Sequence, residues 1–488
     1  MTKIQTRLAI LIILLIGFVL RVYQLGNDSY WNDEAGQLLA ALEPTFSGMM
    51  VIIKGHVHAM PLDYFVTRGI SRIGIAEIII RYPAVIWGTL NIVVIFALAK
   101  LIFNDKTALI AALLVSISVT QIHFSQEARF YSSLAFFYSF GLLLLFQTLK
   151  QPKFLNWLFA IFIIALGSYF QPFALLCLIP IWVYAFLLWL NGEAKKTVLS
   201  GLAWSTALIG LIHLPGYLYF GGANEYPQAF LSFGESFLAT IGSGLGLYAI
   251  PYQANSIRFG AWETVAFIFT VVGLAHVIRN FWHNKFAVSI LLGITLQIAI
   301  IALGVAWSEY WFISRHILYL NPHLLIFMAI GLTISLDFLF KRSRQPPKSK
   351  FQFATYVGVC LIFLFLSLPR VQDYYLFEKS NSRQISAQIA KDYESEYLIY
   401  VMPAHDTEVY EFYLNFGHGI NPIAKNLIPI AWEQIAGIVA TENDIYLITP
   451  SNLSEVDLNY LHKNNFSLLY EPKSQGPGTR ILFIRTFN

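Results

Sequence analysis

Two adjacent carboxylates in a short aromatic motif are the residues of this chain best suited to catalysis. Asp33 and Glu34 lie in Trp31-Asn32-Asp33-Glu34-Ala35, just after the first long apolar run. A carboxylate in a cleft at a membrane surface is suited to act as a general base or as a metal ligand, because partial desolvation tunes its proton affinity. The structural alternative is a helix cap, with Asp33 capping a helix over Glu34–Leu42. The motif therefore predicts a catalytic site, with a helix-capping role for Asp33 as the alternative.

A second polar cluster combines an acid with an arginine in Gln126-Glu127-Ala128-Arg129-Phe130-Tyr131. The planar guanidinium matches a phosphate with two parallel hydrogen bonds. Beside a positioned carboxylate, it would stabilise a departing phosphate. The alternative is that Arg129 binds lipid headgroups and Glu127 pairs with it. We predict that Glu127 and Arg129 bind phosphate and that Tyr131 contacts substrate.

The segment from Gly55 to Tyr64 carries a third set of polar residues: His56, His58, Asp63 and Tyr64. Two histidines at this spacing bind zinc only on an extended chain, and no matched third ligand is evident. Substrate contact is therefore favoured over metal binding. The cofactor is left unknown, with a divalent cation still open.

Two further arginines lie where charge is costly. Arg21 stands near the end of the first apolar run, and Arg315 and His316 open a later one. An ionisable residue at membrane depth is a functional candidate, although long side chains also reach the interface simply to place their charge in water. We predict that Arg21 and Arg315 contact the same phosphate as Arg129.

The composition requires a membrane protein to position these residues. Hydrophobic residues make up 57% of the 488 and charged residues 12%, with a mean hydropathy of +0.59. A helix crosses a ~30 Å hydrocarbon core in roughly 20 apolar residues. The fold class is therefore an α-helical polytopic membrane protein of about eleven spans, and up to thirteen. The predicted spans are 8–25, 82–103, 107–123, 131–149, 154–171, 172–190, 197–219, 261–279, 286–306, 316–339 and 351–368.

Basic residues in alternate loops predict the orientation. Lysines and arginines occupy the N-terminus and every second connection, most densely at Lys341-Arg342-Ser343-Arg344. Such loops are cytoplasmic. We predict a cytoplasmic N-terminus and a multi-pass protein of a bacterial inner membrane, with the polar motifs and the C-terminal residues outside. The first span lacks a small-residue cleavage site and is expected to remain as an anchor.

Two regions depart from the alternation of spans and loops. Residues 26–81 contain short apolar pieces that suit interfacial helices. From residue 369 the charge density rises, and strands are predicted at Tyr397–Val401, Asp444–Ile448 and Arg480–Ile484. We predict a transmembrane domain over 1–368 and a small extracytoplasmic α/β domain over 369–488. Two cysteines inside predicted spans provide no disulfide framework.

These motifs together resemble a known family. An arginine near the end of the first span is followed by Trp-x-Asp-Glu-Ala, and then by the segments His58–Tyr64, Arg81-Tyr82-Pro83 and Ser125–Tyr131. This order resembles the bacterial protein mannosyltransferase family, GT-C glycosyltransferases of family 39 that include the lipid A aminoarabinose transferase. There are two departures: His316 stands where a tyrosine is usual, and the His58 segment has the single Pro61 where family members often carry two consecutive prolines.

The resemblance implies inverting transfer of a sugar from a polyprenyl-phosphate donor to a lipid, glycan or protein acceptor, outside the membrane and without nucleic acid. Asp33 would activate the acceptor, Glu34 would assist acceptor or metal binding, and Glu127 and Arg129 would lie near the donor phosphate. A flippase or transporter of lipid-linked sugars is the alternative, but it should carry charges at mid-membrane depth. A receptor-like protein should not depend on Asp33.

Overall fold

The computed structural model describes residues 3–56, 60–220, 261–308, 314–342, 349–376, 378–392, 397–417, 427–439, 444–472 and 479–485. The chain forms two compact units. The helical unit comprises Met1–Tyr23, Met50–Asp63 and Arg81–Tyr374, and the sheet unit comprises Gln24–Met49, Tyr64–Ile80 and Tyr375–Asn488. The domain boundary predicted between residues 368 and 369 stays a prediction.

Helices dominate the described part of the chain. In chain order they are α1 Lys3–Val22, α2 Asn32–Leu42, α3 Phe46–Gly55, α4 Pro61–Ser71, α5 Glu77–Ile102, α6 Asp105–Ile117, α7 Val119–Ser125, α8 Tyr131–Lys150, α9 Phe154–Phe170, α10 Leu178–Leu190, α11 Lys196–Phe220, α12 Ala261–Arg279, α13 Lys285–Ser308, α14 Asn321–Arg342, α15 Ser349–Leu376, α16 Ser382–Asp392, α17 Thr407–Phe412, α18 Ile435–Val439 and α19 Glu455–Lys463. Short 3₁₀ turns at Pro172–Cys177 and Ser314–Leu320 precede α10 and α14.

The predicted spans all lie on helical structure. Among the described residues, eight helices are long and apolar enough to cross a bilayer, and a ninth results if α6 and α7 are counted as one bent span. Two further apolar stretches, Phe154–Phe170 of α9 and Thr264–Arg279 of α12, fall just short of that length. The result confirms the predicted α-helical polytopic membrane protein. The segment between α1 and α5 carries α2, α3 and α4, in agreement with the short helices expected there.

The third predicted span, 107–123, is broken rather than straight. Helices α6 and α7 meet at a 58° bend around Ser118. The Ser118 hydroxyl accepts a hydrogen bond from the Gln121 N–H at 3.4 Å, so it caps the start of α7. A serine side chain competes with the backbone for hydrogen bonds in this way, which the apolar pattern of the span did not reveal.

The basic loops gather at one end of the helical unit. The Lys285 Nζ atom lies 2.9 Å from Glu193 Oε1, and Lys106 Nζ lies 3.4 Å from Asp337 Oδ1. The hydrogen bond from Lys285 holds the pKa of the Glu193 carboxyl below its usual range. In addition, Asn284 Nδ2 donates to the Ile102 carbonyl at 3.1 Å. Contacts between loops far apart in sequence therefore agree with the alternation of basic and non-basic connections.

The sheet unit contains a five-stranded mixed sheet in the order β2-β1-β3-β5-β4. Its strands are β1 Leu398–Val401, β2 Leu427–Pro429, β3 Ile445–Pro450, β4 Ser467–Tyr470 and β5 Arg480–Arg485. Strand β1 is parallel to β2 and β3, while β5 is antiparallel to β3 and β4. The three predicted strands are β1, β3 and β5. The buried hydrophobic core of the sheet unit includes Tyr400, Leu447 and Phe483 from these strands and Leu461 from α19.

The orientation can be tested by cysteine labelling. Lys196→Cys lies at the basic end of the helical unit, and Val456→Cys replaces an exposed residue of α19. In intact cells stripped of any outer membrane, we expect an impermeant maleimide to label the second variant and to leave the first unlabelled. The parent chain controls for Cys177 and Cys360. The opposite pattern would invert the predicted topology.

Candidate active site

The first acidic motif begins helix α2. Trp31 is the N-cap residue, and its backbone N–H donates to Glu34 Oε2 at 3.3 Å. The structure therefore corrects the cap considered for Asp33: the helix begins at Asn32, two residues before Glu34, and Glu34 is the carboxylate that reaches back to the cap. Glu34 is 1% exposed, whereas Asp33 is half-buried. Both carboxylates lie in the first turn, where the helix dipole stabilises negative charge.

Helix α2 is fixed by polar contacts to α4. Gln37 Nε2 donates to Thr67 Oγ1 at 2.8 Å, and both residues are buried. At the other end of α2, Arg68 Nη1 donates to the carbonyls of Ala41 at 3.0 Å and Glu43 at 2.6 Å. An arginine there satisfies carbonyls that have no partner within the helix and complements its negative end. These contacts hold the helix that bears Asp33 and Glu34.

Glu408, which the sequence did not indicate, lies against the same helix. Its carboxylate occupies the space that a methyl group on Gly36 would fill. Gly36 follows Asp33 by three residues, so the two positions are neighbours on the helix surface. The absence of a side chain at Gly36 is what lets α17 bring this third carboxylate so close to the backbone of α2.

In the helical unit, the second polar cluster follows the end of α7. His123 Nε2 lies 2.8 Å from Glu127 Oε1, and both side chains are almost fully buried. Arg129 is half-buried, with its guanidinium carbon 5.4 Å from the centre of the Phe130 ring. Gln126 Nε2 donates to the carbonyls of Arg21 at 3.0 Å and Tyr23 at 2.7 Å. The sequence did not indicate His123 as a site residue. Its pairing with Glu127, four residues later, becomes evident only once the path of the chain at the end of α7 is known.

Arg21 is fully buried near the end of α1. Its Nη1 atom donates to the carbonyls of Gly17 at 2.9 Å and Ser116 at 3.1 Å. Its Nη2 atom donates to the Val115 carbonyl at 3.1 Å, and its Nε atom donates to Ser125 Oγ at 3.1 Å. The guanidinium thus joins α1 to both halves of the broken span.

These contacts explain why a charge is present at that depth. Val115 and Ser116 belong to the last turn of α6, where the break at Ser118 removes the next-turn N–H partners of the carbonyls. Backbone groups inside a bilayer must be satisfied by the protein itself. Arg21 supplies the donors, and so it stabilises the bend from which the Gln126–Tyr131 cluster emerges. The predicted phosphate contact of Arg21 stays a prediction, and the observed contacts favour a positioning role.

The segment carrying Arg315 packs against the same cluster. Phe124, Tyr131 and Leu318 form a buried group, with Phe130 against it. Phe124 and Tyr131 flank the Glu127 and Arg129 turn, and Leu318 lies three residues after Arg315. Arg315 and His316 are half-buried. The fold therefore brings together two segments, about two hundred residues apart, that each carry a predicted phosphate ligand.

The remaining predicted residues are divided between the units. His56 directly follows α3, and Asp63 lies in the first turn of α4; both belong to the helical unit. Tyr64 is 4% exposed and belongs to the sheet unit, as do Asp33 and Glu34. His58 lies outside the described residues. Within the described residues, the structure assembles no group of three or more histidine, cysteine or acidic side chains that could hold a metal ion.

Comparisons with known proteins identify the fold. The family model described as dolichyl-phosphate-mannose-protein mannosyltransferase matches residues 57–220. The oligosaccharyltransferase of Archaeoglobus fulgidus in the apo form aligns with a TM-score of 0.59 at 14% identity, over 92% of this chain and 70% of that one. A comparison of the sequence with curated proteins found no match.

A second solved protein, ArnT from Cupriavidus metallidurans, aligns over almost the whole of both chains. The apo state gives a TM-score of 0.55 at 13% identity, over 97% of each chain. The state bound to undecaprenyl phosphate gives 0.51 at 14% identity, over 99% of this chain and 98% of that one. The predicted resemblance is thereby confirmed: this multi-pass membrane protein has the GT-C fold and is similar to the protein mannosyltransferase family over residues 57–220.

Arg21→Met tests the role of the buried guanidinium. The variant leaves the Val115 and Ser116 carbonyls and the Ser125 hydroxyl without this donor, and each buried polar group left unpaired costs about 1–3 kcal/mol. We expect a clearly lower thermal unfolding midpoint in detergent. Arg7→Met, at an exposed position of α1, is the matched control. Equal midpoints for the two variants would contradict the capping role.

Proposed function

We propose that the protein is a membrane glycosyltransferase. It moves a sugar from a polyprenyl-phosphate donor to a lipid, glycan or protein acceptor on the extracytoplasmic side, with inversion at the anomeric carbon. The observation that carries the proposal is the packing of the Arg129 turn against the Arg315 segment through Phe124, Tyr131 and Leu318, within a GT-C fold. Two arginines on adjoining segments suit a phosphate that must be bound and then released.

The donor half of the reaction belongs to the helical unit. Cleavage of the bond between the anomeric carbon and the phosphate oxygen leaves charge on the polyprenyl phosphate. Guanidinium groups of Arg129 and Arg315 stabilise that charge with charge-assisted hydrogen bonds. Glu127, held by His123, lies two residues before Arg129 and fixes the turn that carries this arginine. A lipid-bound donor keeps its chain in the bilayer while its phosphate reaches this polar cluster. The undecaprenyl phosphate bound to ArnT supports a donor of this chemical class.

The acceptor half belongs to Asp33. A carboxylate that removes the acceptor's proton as the nucleophile attacks lowers the barrier at the anomeric carbon, and attack opposite the leaving phosphate inverts the configuration. Glu34 contributes differently, since its carboxylate holds the start of α2 through the Trp31 N–H. We assign acceptor contact to His56, His58, Asp63, Tyr64 and Tyr131. The location we propose is the inner membrane of a bacterium, with the N-terminus in the cytoplasm.

Asp33→Asn should remove turnover and leave the fold intact. The amide is nearly isosteric with the carboxylate but cannot accept the acceptor's proton, and the loss of a general base typically lowers the rate about 10²–10⁴-fold. Transfer from a synthetic polyprenyl-phosphate sugar by purified protein measures the loss. Asp105→Asn, at the basic end of the helical unit, is the control and should keep full activity. Near-normal turnover of the Asp33 variant would exclude Asp33 as the general base.

Arg129→Lys should be impaired although it keeps the positive charge, because an ammonium group cannot replace a planar fork at a phosphate. Arg129→Ala should be worse, since Glu127 would then face the donor phosphate without this cation. We expect weaker donor binding, or lower turnover if the contact strengthens as the phosphate leaves. Donor titrations measure both effects, with Arg72→Lys at an exposed position as the control. Wild-type affinity and turnover in both Arg129 variants would leave Arg129 as a lipid-headgroup contact.

A further inference from the structure

The C-terminal part of the sheet unit binds the segment immediately before the acidic motif. The Ser29 hydroxyl donates to Gln384 Oε1 at 2.9 Å and accepts from the Arg383 N–H at 3.0 Å. The Ser380 hydroxyl donates to the Tyr30 carbonyl at 3.2 Å. Arg383 Nη2 also donates to the Asn27 carbonyl at 2.8 Å. Arg383 also contacts the Gly26 carbonyl and Lys379 contacts Asp28, so each residue from 26 to 30 has a partner in the C-terminal part of the chain.

Tyr413 is the central contact of this arrangement. Its hydroxyl donates to Glu77 Oε1 at 2.6 Å and accepts from the Tyr30 backbone N–H at 2.6 Å. Its ring stacks on that of Tyr30 with centroids 6.0 Å apart, and Phe412 meets Tyr30 edge to face at 5.3 Å. Glu77 is buried, and its charge is balanced by Arg383 Nη1 at 2.9 Å. The Tyr413 hydroxyl thus links a partly buried ion pair to the Tyr30 backbone.

We propose that Tyr413, with Glu77 and Arg383, is a positioning group for Asp33. Tyr30 directly precedes Trp31, the N-cap of α2, so fixing the Tyr30 N–H fixes the first turn that carries Asp33 and Glu34. The packing of α17 on α2, with the Glu408 carboxylate at Gly36, holds the same helix from a second direction. The inference rests on the proposed function in taking Asp33 as the base.

Positioning of this kind affects one half of the reaction. A small displacement of a base from the acceptor is costly in rate, on the order of 10²-fold for about 1 Å. Arg129 and Arg315, to which we assign the donor contacts, belong to the helical unit, whereas Tyr413 belongs to the sheet unit. Loosening the Tyr30 segment should therefore lower kcat and leave the KM for the donor unchanged.

Tyr413→Phe is the test, because it keeps the aromatic ring and removes only the hydroxyl. We expect a fall in kcat of about tenfold or more, a donor KM within about twofold of wild type, and faster amide hydrogen exchange in a peptide covering residues 27–36. Tyr460→Phe, on a partly exposed face of α19, is the matched control. Glu77→Gln retains an oxygen that accepts from Tyr413 but loses the charge pair with Arg383, and should give an intermediate effect.

Unchanged exchange in residues 27–36 of Tyr413→Phe would overturn the proposal, and so would faster exchange with unchanged kcat. Parallel losses in kcat, donor affinity and thermal midpoint would also overturn it, in favour of a general role in folding. If Tyr413→Phe does not fold, Glu77→Gln is judged by the same criteria. An inactive wild-type protein would count against the proposed function instead, and the exchange measurement would still decide whether Tyr413 fixes the start of α2.

Discussion

The burial of Arg21 governs much of the helical unit. A guanidinium at the end of a membrane span is tolerated only where its donors find acceptors, and here those acceptors are the carbonyls exposed by the break between α6 and α7. The arginine and the broken helix therefore depend on each other. The bend turns the chain so that Gln126 reaches the carbonyls of Arg21 and Tyr23, and Tyr374 donates to Gln126 Oε1 at 2.7 Å.

The sheet unit holds its acidic motif by different means. Asp33 lies on a short helix whose isolated stability would be small, since helices of fewer than about 12 residues are marginal in water. Contacts from Thr67, Arg68 and Tyr413, distant in sequence, fix it at both ends. In both units the candidate catalytic or phosphate-binding side chains thus lie on short segments. Buried hydrogen bonds from residues distant in sequence hold these segments in place. Such preorganisation is what general-base and electrostatic catalysis require.

The apolar periodicity of the sequence was sufficient to predict the helices that cross the membrane and the strands β1, β3 and β5. The break at Ser118 was not predicted, because one serine and one distant arginine decide it. Strands β2 and β4 are short and partly exposed, so their composition gives little signal. The assignment of Glu34 as the capping carboxylate, and the contacts of Glu408 and Tyr413, depend on long-range packing that no local pattern contains.

The proposed activity differs from transport of an intact lipid-linked sugar in one chemical respect. A transferase breaks the bond between sugar and phosphate, whereas a flippase moves the donor between leaflets unchanged. The most direct measurement is mass spectrometry of lipids extracted from vesicles containing the purified protein, a panel of polyprenyl-phosphate sugars and candidate acceptors. We predict acceptor-dependent release of free polyprenyl phosphate, with one glycosylated acceptor molecule formed for each phosphate released. Donors that cross the bilayer but remain intact with every acceptor would contradict the account.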